Sequence, residues 1–137
     1  PPCHELASLC PDIMLVSRVM GRPHVDIIEV GVTAESSLDW ASAKKISQYS
    51  QLCQAICDYG VFTCSYRVLL VGCLGLIPAT SYKVLYDLVP GSWRGAKSAV
   101  VQTCRALSSI AARASWDILR AHAAFAVARS RSAAAPP

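Results

Sequence analysis

His24-Val25-Asp26-Ile27-Ile28-Glu29-Val30-Gly31-Val32 is the stretch whose reading decides the fold. It is apolar and β-branched, the composition of a strand buried on both faces. Glu29 interrupts it. Alternate residues of a strand share a face, so Glu29 lies with Val25, Ile27 and Gly31 and has no polar neighbour on its own side. An ionised carboxylate in that position is costly unless a cation or metal offsets it. Two placements stay open: an edge strand with Glu29 in water, or an inner strand with Glu29 held against positive charge.

Upstream, Pro11-Asp12-Ile13-Met14-Leu15-Val16 reads as a short strand with an acid at its mouth. Gly21-Arg22-Pro23 is a turn signal, which makes the two strands an antiparallel hairpin and carries Asp12 towards the end of the strand bearing Glu29. Two carboxylates converging at a sheet end offer a divalent cation such as Mg²⁺ hard oxygen ligands, with positions left for water and phosphate. Taken alone, Asp12 is also an ordinary turn residue after proline. Leu6 to Cys10 suits the last turn of a helix.

Downstream, Ser36 or Ser37 can cap a helix from about Leu38 to Tyr59 that stops at Gly60. On a wheel of 100° per residue, Leu38, Ala41, Tyr49, Leu52 and Ile56 all fall within about 40° of Lys45. Lys45 therefore centres the face that docks on the sheet, with Lys44 near its boundary. Such a lysine either snorkels to solvent or is held inside to face a charge. Unpaired Glu29 favours the second. Val61 to Cys73 is the next strand, with Phe62, Cys64 and Tyr66 on one alternation. Strand, helix, strand in this order is a crossover unit with parallel strands. A short helix over about Thr80 to Leu88 ends at Pro90-Gly91, and the glycines before it match no phosphate-binding loop.

Residues 94–127 read as one long alanine-rich helix. Val100, Leu107, Ile110, Ala114, Ile118, Ala121 and Phe125 form its docking side, while Arg94, Lys97, Arg105, Arg113 and Arg120, with Trp116 among them, lie opposite. Arginines on phosphates and a tryptophan on a base bind nucleic acid without sequence preference; a solvated helix face has the same pattern. The organisation expected is a core over residues 1–90 truncated at its start, a basic helix packed on it over 91–128, and a disordered tail over 129–137.

Composition sets the frame. The chain of 137 residues is 53% hydrophobic and 16% charged, which suits one globular domain. It does not begin with Met and reads as a fragment of something longer. The longest apolar run, Val68 to Ala79, is twelve residues with two glycines and a proline, against the roughly 20 a bilayer requires, so no membrane partner is expected. Seven cysteines, an odd number lying mostly in apolar runs, point to free thiols in a reducing, intracellular compartment. Cys53 and Cys57 stand i, i+4 but lack a matching pair for zinc, as do Cys3-His4 and Cys10. His24 and His122 stand apart and are assigned no role. Residues 1–88 carry six Lys/Arg and eight Asp/Glu, while residues 89–137 carry seven Lys/Arg and only Asp117. An acidic first part and a basic last part suggest a metal site beside a phosphate-binding surface.

With these residues named, a family resemblance follows. Pro11-Asp12-Ile13-Met14-Leu15, then Ile27-Ile28-Glu29-Val30, then Lys45-Ile46-Ser47-Gln48-Tyr49 with Leu52, then Val68 to Gly75, resemble the restriction-like endonuclease region. That region ends the reverse transcriptase polyproteins of non-LTR retrotransposons. The similarity spans roughly residues 11–90, and the arginine- and tryptophan-bearing helix suits it. The resemblance implies a PD-(D/E)XK nuclease fold, an α/β architecture with a mixed sheet flanked by helices, here without its N-terminal helix and strand. It implies Mg²⁺- or Mn²⁺-dependent nicking of nuclear DNA, which exposes a 3′ hydroxyl for the reverse transcriptase portion of the same polyprotein. Asp12 and Glu29 would be the metal ligands and Lys45 the catalytic lysine. The usual lysine two residues after the second acid is replaced by Gly31, and in this family it comes from the following helix. A second basic residue expected three positions after that lysine is Gln48. Rival expectations are a catalytically inactive nucleic-acid-binding remnant and a structural docking module.

Overall fold

The computed structural model describes residues 9–90 and 93–133. The chain is mixed α/β. A three-stranded sheet of β1 (Ile13–Val19), β2 (Arg22–Thr33) and β3 (Thr63–Gly72) has β2 at its centre, antiparallel to β1 and parallel to β3. Three helices follow or connect the strands: α1 (Leu38–Asp58), α2 (Ala79–Leu88) and α3 (Ala96–Ala133). A 3₁₀ turn over Glu35–Ser37 leads into α1, and Ser37 stands at the N-cap without a side-chain capping bond.

The hairpin turns one position earlier than the sequence signal implies. Val19 pairs with Arg22, so Met20 and Gly21 form a two-residue turn, with φ of 51° and 81°. Such tight turns need left-handed backbone at their centre, and proline is locked at negative φ; Arg22 and Pro23 are therefore already strand. The register that results pairs Ile13 with Ile28 and so brings Asp12 level with Glu29.

Val25, Ile27, Ile28 and Glu29 are all buried in the central strand, which excludes the edge-strand placement. On Glu29's side of the sheet, Val25, Ile27 and Tyr49 make a core with Leu52 and Ile56 of α1 and Phe62, Cys64 and Tyr66 around β3. The parallel crossover puts α1 there, as its apolar wheel requires. At the outer edge of β3, the Ser81 hydroxyl accepts the Leu70 amide at 2.9 Å and donates to the Leu70 carbonyl at 2.7 Å. One serine of α2 thus satisfies what a further strand would have satisfied. The Glu35 carboxylate accepts the Leu74 amide at 2.7 Å, and a Cβ at Gly72 would collide with it. A side chain there would displace the Glu35 carboxylate from this bond.

Two expectations about the end of the chain are corrected. First, α3 docks through Val100, Cys104, Leu107, Ser108, Ala111 and Ser115, a stripe rotated from the expected one; Ile110, Ile118 and Phe125 are exposed. Small residues win because they allow close approach: a Cβ on Gly75 would stand 2.6 Å from Ser108 Oγ. No described residue from Trp116 to Phe125 is even half-buried, so the helix runs on beyond the core. Second, α3 continues through residues 129–133, where a disordered tail was expected. Alanine and arginine propagate a helix well even without packing. The rest of that tail, residues 134–137, and the start of the Leu6 to Cys10 turn lie outside the described residues. All seven residues of β1 are exposed.

Candidate active site

Glu29 is 4% exposed and makes two contacts that explain its burial. Its Oε2 accepts the Lys45 ammonium at 2.6 Å, and its Oε1 accepts the Asp12 amide at 3.2 Å. Asp12 reciprocates, its Oδ2 accepting the Val30 amide at 2.8 Å. Each acid thus binds the main chain of the other's strand, and the two carboxylates are held as a unit. The described residues give Asp12 Oδ1 no hydrogen bond. Asp12 as a whole is exposed.

Lys45 reaches Glu29 because Gly31 leaves room. A Cβ on Gly31 would lie 3.2 Å from Lys45 Cε and 3.0 Å from Leu70 Cδ2. Glycine at the second residue after Glu29 is therefore part of the lysine's placement. The only sequence signal for this was the absence of a side chain where the nuclease motif usually carries lysine.

Tyr49, one turn beyond Lys45, belongs in the sequence to the docking face and to the Lys45–Tyr49 motif, with no role of its own assigned. Its hydroxyl donates to the Cys10 carbonyl at 3.3 Å, and its ring stacks on Tyr66 with centroids 5.3 Å apart. Burial, followed by the neighbouring Glu29 carboxylate, pushes the Tyr49 phenol up to about 12. Burial and the Glu29 charge push Tyr66 up as well. The Tyr66 hydroxyl is buried and has no hydrogen-bond partner among the described residues. Both phenols stay neutral beside the acids at physiological pH.

A divalent cation fits this donor set in one respect and not in another. Among the described residues no group of three or more His, Cys, Asp or Glu could hold a metal ion by itself. Mg²⁺, however, commonly takes one or two carboxylates and completes its shell with water and substrate phosphate. Asp12 and Glu29 are two carboxylates side by side, with both Glu29 oxygens engaged by Lys45 and the Asp12 amide and Asp12 Oδ2 engaged by the Val30 amide.

The remaining candidates are dispersed. Lys44 shares α1 with Lys45 and stands over the Trp40 ring, 5.1 Å from its centroid. Arg94 and Lys97 lie just before and at the start of α3, with Arg105, Arg113, Trp116 and Arg120 along it; all are exposed, on a helix packed chiefly on β3 and α2. Cys53, Cys57 and Cys64 line one cavity of about 380 Å³ with Tyr66, and their thiols are free. Burial and then the neighbouring Cys53 push the Cys64 thiol up to about 12.

The opposite face of the sheet holds a polar cluster that the sequence did not announce. His24 does not stand apart: its Nδ1 is 2.7 Å from Thr63 Oγ1 and its Nε2 3.6 Å from Asp26 Oδ1. Asp26 also accepts Ser65 Oγ and, at 2.9 Å, Arg67 Nε. Burial raises the Asp26 carboxyl, but hydrogen bonds from Ser65 and Arg67 and the nearby positive charge outweigh it. Asp26 is held below the usual carboxylate range.

The chain matches no protein-family model, and a search of curated proteins returns no match. No helix among the described residues is long and apolar enough to cross a membrane.

Proposed function

We propose that this chain is a metal-dependent DNA endonuclease module of the PD-(D/E)XK type, which nicks target DNA for the reverse transcriptase portion of a retrotransposon polyprotein. The observation that carries the reading is the convergence of Asp12, Glu29 and Lys45 from three elements, with Lys45 Nζ 2.6 Å from Glu29 Oε2. The wheel argument and the family resemblance select the same lysine independently. The strand–helix–strand order and the mixed sheet suit that fold.

Asp12 and Glu29 would hold a Mg²⁺ or Mn²⁺ ion, which when bound supplies Lewis-acid stabilisation of phosphate charge and acidifies a water. The chain's own part is positional. The reciprocal amide bonds fix both carboxylates, and Asp12 Oδ1 has no hydrogen bond among the described residues. Lys45 is half-buried and can donate to a water or to a phosphate oxygen while remaining against Glu29. Neutral Tyr49 and Tyr66 wall the inner side and add no further negative charge where a phosphodiester must approach. The exposed arginines of α3 and Trp116 supply affinity for the DNA backbone.

The test is nicking of supercoiled plasmid with Mg²⁺ or Mn²⁺. Metal-dependent nicking by the wild-type chain, lost in Glu29→Gln and Lys45→Ala, is the expected result. Salt-sensitive DNA binding with no cutting by folded wild-type protein would replace this reading with that of an inactive nucleic-acid-binding remnant.

A further inference from the structure

We infer that the hollow beside Lys45 is a nucleotide subsite that takes one unpaired base of the DNA strand, stacked on Trp40, with Lys44 on the adjoining phosphate. The inference rests on the nuclease reading for one point, that the strand bound there is the one whose phosphate meets Lys45.

The hollow has a volume of about 300 Å³ and is bounded by Gly31, Thr33, Trp40, Lys44, Lys45 and Gln48. Its two lysines are adjacent in sequence but do different things. Lys45 turns inward to Glu29, whereas Lys44 holds its ammonium over the Trp40 ring. Trp40 is 66% exposed, although nothing in the packing of α1 needs a large aromatic on that side. The ring is thus largely exposed, with the Lys44 ammonium 5.1 Å from its centroid. An indole and a neighbouring ammonium match a nucleotide's base and phosphate, and such stacking tolerates any base. Thr33 and Gln48 add a hydroxyl and an amide, which can donate to or accept from a base edge without fixing its identity.

Stacking geometry selects an unpaired base. A paired base is stacked on both sides and reaches Trp40 only by leaving the helix. Because Lys45 borders both the hollow and Glu29, the stacked nucleotide lies next to the phosphate at the acids. The subsite therefore favours single-stranded or bulged positions at the cut.

The experiment uses the full 137-residue chain and oligonucleotides carrying 2-aminopurine, in buffer containing EDTA so that binding is read without cutting. Wild type is expected to quench 2-aminopurine in a single strand and to bind that strand several-fold more tightly than the matched duplex. Trp40→Leu is expected to lose the quenching and about tenfold in single-strand affinity. Trp40→Phe should keep most of both, and Lys44→Ala should lower the salt slope of single-strand binding by about 0.7. Unchanged quenching in Trp40→Leu overturns the subsite, and so does quenching lost in Trp116→Leu instead. Plasmid nicking with metal is read separately. Quenching without nicking by wild type removes the nuclease reading and leaves the subsite, while nicking with unchanged quenching in Trp40→Leu does the reverse.

Discussion

Lys45 and Glu29 lie sixteen positions apart in the chain and 2.6 Å apart in the fold, one on a helix and the other in the centre of a sheet. Their side chains are 28% and 5% exposed, so the pair is asymmetric. The lysine retains access to solvent; the glutamate has almost none. Losing the lysine leaves a buried charge without its partner, whereas losing the glutamate leaves a lysine that can turn outward.

Stability should report that asymmetry. Lys45→Ala is expected to cost roughly 1–3 kcal/mol, below the range for fully buried pairs because the ammonium is partly solvated. Glu29→Gln should cost less than half as much. Replacing both with apolar residues of similar size, Glu29→Leu with Lys45→Met, should recover most of the loss. Urea denaturation of wild type, the two single variants and the Glu29→Gln/Lys45→Ala double variant measures the coupling. Additive losses would mean that the two residues do not stabilise each other.

Gly31 should be sensitive for a different reason. Alanine there adds a Cβ at 3.0 Å from Leu70 Cδ2 and 3.2 Å from Lys45 Cε, so one of the two must move. Lysine is the more mobile neighbour. Gly31→Ala is expected to change stability by about 1 kcal/mol or less, since the lower entropy of the unfolded chain offsets part of the strain. Nicking should fall about tenfold or more through misplacement of the ammonium. Equal nicking by wild type and Gly31→Ala would show that Lys45 needs no such room.

Much of this arrangement was legible in the sequence, and the reasons are particular. Lys45 stands out because a helix period of 3.6 puts it among Leu38, Tyr49, Leu52 and Ile56, and docking leaves it little choice of direction. Asp12 was placed near Glu29 by the hairpin alone, although the turn proved to be Met20-Gly21 and the pairing is closer than the sequence signal required. The docking side of α3 was not legible. An alanine-rich helix is weakly apolar on most sides, and close approach to Gly75 rewarded serine and alanine over isoleucine and phenylalanine. The cluster around Asp26 was hidden for another reason: its partners Ser65 and Arg67 come from β3, about forty residues away, and only the parallel register brings them together.

That cluster should make stability depend on pH in one direction. The folded Asp26 carboxyl titrates below its unfolded value of 3.8, so the unfolded chain binds the proton more readily. Its contribution is present above about pH 4 and is lost as the pH falls through the folded value. Thermal melts of wild type and Asp26→Asn should therefore differ most near neutral pH and converge below about pH 4. A gap that widened on acidification would reverse the sign and with it the assignment of Ser65 and Arg67 as the stabilising partners.

The outer half of α3 gives the sharpest separation between folding and binding. Among the described side chains, burial along the helix ends at Ser115, and Trp116, Ile118, Leu119, Arg120 and Phe125 are exposed. Helix without tertiary packing contributes little to the cooperative unit, because propensity alone barely sustains it. Ending the chain after residue 115 should then shift the urea midpoint by an amount equivalent to less than about 1 kcal/mol. The same deletion removes Trp116 and Arg120 from the proposed DNA surface, together with Arg129 and Arg131. DNA affinity should fall at low salt, and the salt dependence should flatten by about one unit for each phosphate that is no longer neutralised. Titrations at several salt concentrations on the two chains make the comparison. If stability collapses with the deletion, the exposed apolar residues have a folded partner elsewhere. If affinity and its salt slope are unchanged in a folded product, the basic residues that bind DNA lie before Ser115, with Lys44, Arg94, Lys97, Arg105 and Arg113 as the candidates that remain.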